Sequence, residues 1–193
     1  MFAPLPSHAV WQHVGVRTGL ELATFEVDDH GCQLRGTTVA VEDEDAWAVG
    51  YDIAVDPLWR TTSARVRTLG PSGEHEIEVR VDPDGRWLVD GTPRPDLDGC
   101  VDVDLESSAC TNTLPVHRLG LAVGDASAAP AVFVRAADLA AERLEQRYRR
   151  VGPDEEHQRS FDYEAPAFEV RVRLTYDAAG LVVDYPGLAA RAR

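Results

Sequence analysis

The sequence contains no lysine, so all 19 of its basic residues are arginine. Against them stand 33 acidic residues, which give the chain of 193 residues a net charge of −14. Such a charge repels polyanions and anionic membrane surfaces at long range, so it excludes general nucleic-acid binding and stable membrane association. The absence of lysine fits either GC-rich coding or adaptation to salt, and it identifies no function.

Cysteine is also scarce. Cys32, Cys100 and Cys110 form no CxxC pair and no spacing typical of a disulfide framework or a zinc site. The N-terminal segment has neither the positive region nor the apolar region of a secretory signal. The longest uncharged apolar stretch, Ala126–Val134, is too short to span a bilayer. We therefore expect a cytoplasmic protein whose cysteines are buried and reduced.

The motifs of common hydrolases and nucleotide-binding proteins are missing. The chain has no GxSxG, P-loop, GxGxxG or HExxH sequence, so we expect no cofactor and no resident metal. Val, Leu, Ile and Phe supply 47 residues, about 24% of the chain, which is above the level of roughly 20% that is typical of disorder. Since no linker divides the sequence, we expect one domain over residues 1–193.

What the chain has instead is alternation of polar and apolar residues. The period of two appears in Ala46–Val55, in Ile77–Val81, in Val101–Leu105 and in Phe168–Asp177, and it is typical of strands with one buried and one exposed face. Turn residues such as Asp82-Pro83-Asp84-Gly85 separate these runs, so neighbouring strands should form antiparallel hairpins. The pattern predicts an all-β protein of roughly a dozen strands, in one large meander that must curl.

The segment Gly99–Leu121 concentrates polar side chains. Asp102 and Asp104 alternate with apolar residues, so they should lie about 7 Å apart on one exposed strand face. A polar loop containing Asn112 should follow, and then the pair His117 and Arg118.

Four interpretations of this segment remain open on the residues alone. It could form the polar end of an apolar ligand pocket, with Asp, Asn and Arg hydrogen-bonding a sugar or ester head group. Asp102 and Asp104 could be the paired carboxylates of a glycoside hydrolase, or could bind a metal together with His117. The fourth interpretation is structural: exposed carboxylates, a turn at Asn112, and an ion pair made by Arg118.

Two further positions need interpretation. Trp59 follows a proline turn at a strand end, which is a common place for the rim of a pocket, whereas the other three tryptophans should be in the core. Residues 136–150 contain good helix formers, and Asp138 is a possible N-cap, so propensity alone predicts a helix there.

The chain resembles the putative glycolipid-binding family, long described only as a domain of unknown function. The most specific match is Gly99-Cys100, Asp102-Val103-Asp104-Leu105, Thr111-Asn112-Thr113-Leu114-Pro115 and Arg118-Leu119. The rest of the match, nearly end to end, consists of Trp11, Gly19-Leu20-Glu21, Tyr51-Asp52, Asp56, Trp59, Gly85, Trp87, Gln146, Tyr148, Tyr163, Phe168, Gly180-Leu181-Val182 and Tyr185-Pro186-Gly187-Leu188. Two departures are Ser108-Ala109, which implies a looser loop, and His117 where arginine is usual.

The resemblance implies a spiral β-roll with little or no helix, similar to the half-barrels that carry lipoproteins between bacterial membranes. It also implies a strand, not a helix, at Leu144–Val151. The predicted function is non-enzymatic binding of a glycolipid or a similar amphipathic molecule in the concave apolar face of the sheet. A hydrolase or isomerase using Asp102 or Asp104 with His117, and an assembly module with a filled core, are the alternatives. The predicted ligand-binding residues are Trp59, Asp102, Asp104, Asn112, His117, Arg118, Tyr148 and Tyr185.

Overall fold

The computed structural model describes residues 2–155 and 158–192, in which seventeen strands, three 3-10 helices and one α-helix are present. The protein is all-β, as predicted. The strands are β1 His8–His13, β2 Thr18–Asp28, β3 Gly31–Glu42, β4 Asp45–Val55, β5 Thr61–Gly70, β6 Gly73–Val81, β7 Trp87–Val89, β8 Thr92–Pro93, β9 Asp102–Leu105, β10 Ala126–Ala128, β11 Ala131–Val134, β12 Ala141–Leu144, β13 Arg147–Glu155, β14 Gln158–Ala165, β15 Val170–Tyr176, β16 Val182–Tyr185 and β17 Ala189–Arg191. The helices are α1 Thr113–Leu119 and the 3-10 helices Pro95–Leu97, Cys110–Asn112 and Pro166–Phe168.

Fourteen of the described strands form one long antiparallel sheet. Two meanders, β1–β8 and β13–β17, are joined because β17 pairs with β1, and β10 adds to the edge at β13. The predicted meander is therefore confirmed, although its two halves meet through strands from the two ends of the chain. No helix in the described residues is long and apolar enough to cross a membrane.

The alternation predicts the faces of several strands well. In β4 the side chains of Trp47, Val49, Tyr51, Ile53 and Val55 are buried, and the alternate positions between them are only partly buried. The run at 168–177 is a partial exception, because Phe168 lies in a 3-10 helix and is 45% exposed. The strand itself begins at Val170.

A second, three-stranded sheet lies against the inner face of the large one. In it β11 pairs in parallel with β9 and antiparallel with β12. All residues of β9 and β11 are buried, because both faces of these strands are packed. The prediction that Asp102 and Asp104 lie on an exposed face was therefore wrong.

The helix predicted by propensity within residues 136–150 is absent from the described structure. Ala141–Leu144 and Arg147–Glu155 are strands, which confirms the expectation drawn from the family resemblance. Tyr148 has partners on both sides, Ser127 in β10 and Tyr163 in β14. Backbone pairing of this kind overrides the helix propensity of the local sequence.

The polar loop predicted around Asn112 is helical instead. The 3-10 helix Cys110–Asn112 runs directly into α1, which ends at Gly120 with a positive φ of 54°. We call the second sheet together with residues 106–119 the inner layer. Its backbone bonds the large sheet directly: the Oγ1 of Thr38 donates to the carbonyl of Ser107 at 2.7 Å, and the amide of Val103 donates to the Oγ1 of Thr61 at 3.1 Å.

The inner layer covers most of the face on which the ligand was predicted to lie. One apolar cluster fills the space between it and β1–β7, and includes Trp11, Ile53 and Val103. A second cluster packs the strands β13–β16 against α1, β11 and β12. The concave face predicted to hold the ligand is thus largely filled, and cavities lie at its margins.

Candidate functional site

The two aspartates of β9 have separate partners. Asp102 accepts two hydrogen bonds from Arg118 of α1, at 2.9 and 2.5 Å, and the carboxylate is 2% exposed. Burial raises the pKa of Asp102, and the guanidinium of Arg118 opposes that shift. The pair fixes α1 to β9, which agrees with the structural interpretation of Arg118.

Asp104 is held by hydroxyl and amide donors. The Oγ1 of Thr111 donates to its Oδ1 at 2.7 Å, and the side-chain amide of Gln146 donates to its Oδ2. Burial raises the pKa of Asp104 to about 6, while these two hydrogen bonds lower it. A carboxylate has about four acceptor positions, so two donors leave capacity for a further one.

Glu21 anchors the segment that carries this motif. Its carboxylate is fully buried and accepts hydrogen bonds from the Tyr51 hydroxyl at 2.7 Å, the Ala109 amide at 2.8 Å and the Ser108 hydroxyl. The Oγ of Ser108 also accepts from the amide of Cys110 at 3.1 Å. Ser108 therefore ties the segment to β2, and the looser loop expected from Ser108-Ala109 was wrong.

A cavity of about 280 Å³ opens where the inner layer meets β14–β16, and we call it the polar-floored cavity. Asp104, Ser108 and Asn112 line it and are at most 8% exposed, so they form its floor. The amide of Asn112 donates to the hydroxyl of Tyr148 at 2.9 Å, and Tyr148 is completely buried behind it.

The two most exposed residues that line the polar-floored cavity are apolar. Val16 is 58% exposed and Phe168 is 45% exposed at its rim. The walls between floor and rim are formed by Phe133, Leu144, Tyr163, Val170, Tyr185 and Leu188. Its other charged lining residues are Arg17, Glu42 and Glu106.

A larger cavity of about 580 Å³ lies beside the N-terminal segment, and we call it the N-terminal cavity. Trp59 and His117 stack in its wall with ring centroids 3.8 Å apart, and Phe2 stacks on the other side of His117 at 4.3 Å. Trp59 thus lies at a pocket rim, with a positive φ of 63° in the turn after β4.

His117 is neutral in this position. Burial lowers its pKa to about 4, and its Nε2 lies 2.9 Å from the carbonyl oxygen of Ala179, which can only accept. The Nε2 therefore carries the proton, and no fixed positive charge is present.

The eight predicted ligand-binding residues do not form one site. Asp104, Asn112 and Tyr185 line the polar-floored cavity, while Trp59 and His117 line the N-terminal cavity. The remaining three are structural: Asp102 and Arg118 pair with each other, and Tyr148 supports Asn112. Neither aspartate contacts His117, and the described residues contain no metal-binding cluster of His, Cys, Asp and Glu.

Several residues of the polar-floored cavity were not predicted from the sequence. Tyr163 and Phe168 belong to the matching motifs, and that signal could have placed them at the site. Arg17 carried no signal, because it lies in the turn between β1 and β2. It is 5% exposed, and its Nη1 donates to the carbonyl of Glu106 at 3.0 Å.

Comparisons with known proteins agree with this fold. A DUF1089 family protein from Pseudomonas aeruginosa superposes with a TM-score of 0.75 at 27% identity, over 89% of this chain and 92% of that chain. A β-barrel-like protein of the domain of unknown function DUF1849 from Brucella abortus gives a TM-score of 0.55 at 12% identity, over 99% and 96% of the two chains, and shows a likeness of fold alone. No curated protein matches the sequence.

The family model described as putative glycolipid-binding matches residues 8–191, nearly the whole chain. This match includes the motif that forms β9 and α1 and the residues that line the polar-floored cavity. The chain therefore belongs to the putative glycolipid-binding family.

Proposed function

We propose that this protein binds one glycolipid-like amphipathic molecule in the polar-floored cavity and does not alter it chemically. The observation that carries the proposal is the gradient of polarity from floor to mouth. Asp104 and Asn112 lie buried at the floor, and Val16 and Phe168 are exposed at the rim. Few, well-placed polar groups inside an apolar wall are typical of small-molecule sites.

The gradient sets the orientation of the ligand. A hydroxyl-rich head group would donate to a free acceptor position of Asp104, since Thr111 and Gln146 each donate to only one of its two carboxylate oxygens. The hydrocarbon tail would leave over the apolar rim at Val16 and Phe168. Tyr163 and Tyr185 offer ring faces in the wall, on which the apolar face of a sugar can pack.

The volume sets the size of the group that enters. About 280 Å³ is near the lower limit of ligand pockets, which is roughly 300 Å³. The cavity therefore accommodates a single sugar ring or a group of similar size, and the remainder of an amphipathic ligand stays outside.

The charges of the cavity select against anionic head groups. Asp104, Glu42 and Glu106 line it with a single arginine, Arg17. Arg17 is already engaged, because its Nε lies 3.5 Å from Glu42. With a pKa of about 6, Asp104 is mostly ionised at neutral pH, so an uncharged head group is favoured over a sulfate or phosphate.

The test is calorimetric titration with two probes that share one tail, octyl glucoside and octyl sulfate, both below their micelle concentrations. Octyl glucoside should bind with one molecule per chain, and octyl sulfate should bind at least about tenfold more weakly. Val16→Trp should block the rim and weaken the binding of octyl glucoside by at least about tenfold.

Val14→Trp is the matched control, since Val14 lies in the same turn as Val16 but outside the cavity lining. It should bind octyl glucoside as the wild type does. Equal affinity for the two probes would contradict the selection by charge. Wild-type affinity in Val16→Trp, or no binding of octyl glucoside at all, would overturn the proposed site.

A further inference from the structure

The outer face of the large sheet carries a row of exposed aliphatic side chains. Leu20 in β2 is the register partner of Val39 in β3, Val39 pairs with Ala48 in β4, and Ala48 pairs with Leu69 in β5. Leu20, Val39 and Leu69 are 56–59% exposed. We call these four residues the apolar ridge. It crosses four adjacent strands at right angles to their direction.

Along the apolar ridge, β2 and β3 turn large apolar side chains toward solvent and polar side chains toward the interior. Between Leu20 and Leu22, which are 56% and 47% exposed, Glu21 points inward and is fully buried. Beside Val39, Thr38 points inward and bonds the inner layer. The core therefore does not account for the exposed side chains, and contiguous exposed apolar surface marks an interaction site.

A depression runs alongside the apolar ridge. The next register row along the strands consists of Leu22, Thr37, Gly50 and Arg67, and these residues line a hollow of about 420 Å³. Gly50 leaves its centre open, because a Cβ built there would find no atom closer than 3.8 Å. The apolar ridge and the depression therefore run parallel to each other, one register row apart.

The charges around the depression are balanced within the molecule. Arg35 lies 3.2 Å from Asp52, and Arg65 lies 3.4 Å from Glu78. Arg67 pairs with Glu76 in the same way. On a protein with a net charge of −14, this face therefore carries little net charge. Two copies can approach through it with less repulsion than through the remaining surface, whereas an anionic membrane is repelled by the whole molecule.

We propose that this face binds a second copy of the chain about a two-fold axis that lies between the apolar ridge and the depression. Rotation about an axis parallel to the two rows places the ridge of one copy opposite the depression of the other, and the reverse contact forms at the same time. Such an interface is self-complementary and closed, as a two-fold dimer requires. The proposal is independent of the ligand and of the polar-floored cavity.

Sedimentation equilibrium over a range of protein concentrations tests the proposal. The wild type should pass from 21.1 kDa to twice that mass as the concentration rises. Added salt should promote the dimer, since it screens the repulsion between two copies of charge −14. Val39→Glu puts a charge in the centre of the apolar ridge and should raise the dissociation constant at least about tenfold.

Two more variants separate the interface from general effects of charge and stability. Val123→Glu adds the same charge at a position that is 53% exposed in a turn outside the outer face, and it should dimerise as the wild type does. Gly50→Val adds bulk to the depression from a position where the Cβ itself meets no atom closer than 3.8 Å, and it should weaken the dimer. A wild type that stays at 21.1 kDa, or dimerisation of Val39→Glu and Gly50→Val at wild-type strength, would overturn the proposal.

Discussion

Packing between two aromatic rings determines the protonation state of His117. Trp59 and Phe2 stack on its two faces, and its Nε2 donates to the carbonyl of Ala179. Burial lowers its pKa to about 4, so folding favours the neutral ring over the imidazolium. The ring acts as a packing element that joins α1 to the turn after β4, and this neutral state excludes a role as a cationic head-group ligand.

This environment makes stability depend on pH. The folded pKa of His117 lies below the unfolded value of 6.5, so its contribution is complete above pH 6.5 and is lost as the pH falls toward 4. His117→Phe keeps the stack and removes the titration. Between pH 7.5 and pH 5, the loss of unfolding free energy should be smaller in the variant by on the order of 1–2 kcal/mol.

Urea unfolding at the two pH values measures this difference. His13, whose pKa is also lowered to about 4 by burial, remains in the variant, so part of the pH dependence should persist. An equal loss in wild type and His117→Phe would show that His117 does not titrate as its position requires.

At the scale of elements, β9 and α1 are held together by one ion pair. Asp102 is nearly inaccessible, and both of its carboxylate oxygens accept from Arg118. Removing one partner of a buried pair leaves an uncompensated charge, which costs about 3–5 kcal/mol, whereas replacing both partners by apolar residues is often close to neutral.

Arg118→Met should therefore lower the free energy of unfolding by about 3–5 kcal/mol at neutral pH. The double variant Asp102→Leu with Arg118→Met should recover most of that loss, because no charge is left buried. Denaturant unfolding of the wild type, both single variants and the double variant completes the cycle. A double variant no more stable than Arg118→Met would contradict the structural role of the pair.

The elements also show what sequence patterns can predict. Alternation placed the side chains of β4 correctly, because one face of β4 meets the core and the other meets solvent. It was wrong for Asp102 and Asp104, since β9 is covered on both faces by parts of the chain distant in sequence. Over Leu20–Leu22 in β2 the faces are reversed relative to hydrophobicity, and Glu21 is inside because Ser108 and Ala109 donate hydrogen bonds to it.

On the scale of the whole molecule, the family resemblance supplied the all-β fold and the motif, and both are confirmed. The resemblance does not predict that the residues of the motif line two different cavities. That division depends on α1, which turns His117 toward the N-terminal cavity while Asn112 faces the polar-floored one. Such an arrangement follows from packing between distant segments and leaves no periodic trace in the sequence.

The polar-floored cavity, and not the larger N-terminal cavity, is the proposed site of the amphipathic ligand. Each cavity is lined by its own aliphatic residues, whose methyl groups can report ligand binding by NMR. Val16, Val170 and Leu188 line the first, and Leu5 and Leu121 line the second.

Titration of the methyl-labelled protein with octyl glucoside, followed by NMR, separates the two directly. Saturable shifts are expected for the methyl signals of Val16, Val170 and Leu188, with those of Leu5 and Leu121 unchanged. Shifts confined to Leu5 and Leu121 would contradict the proposed site.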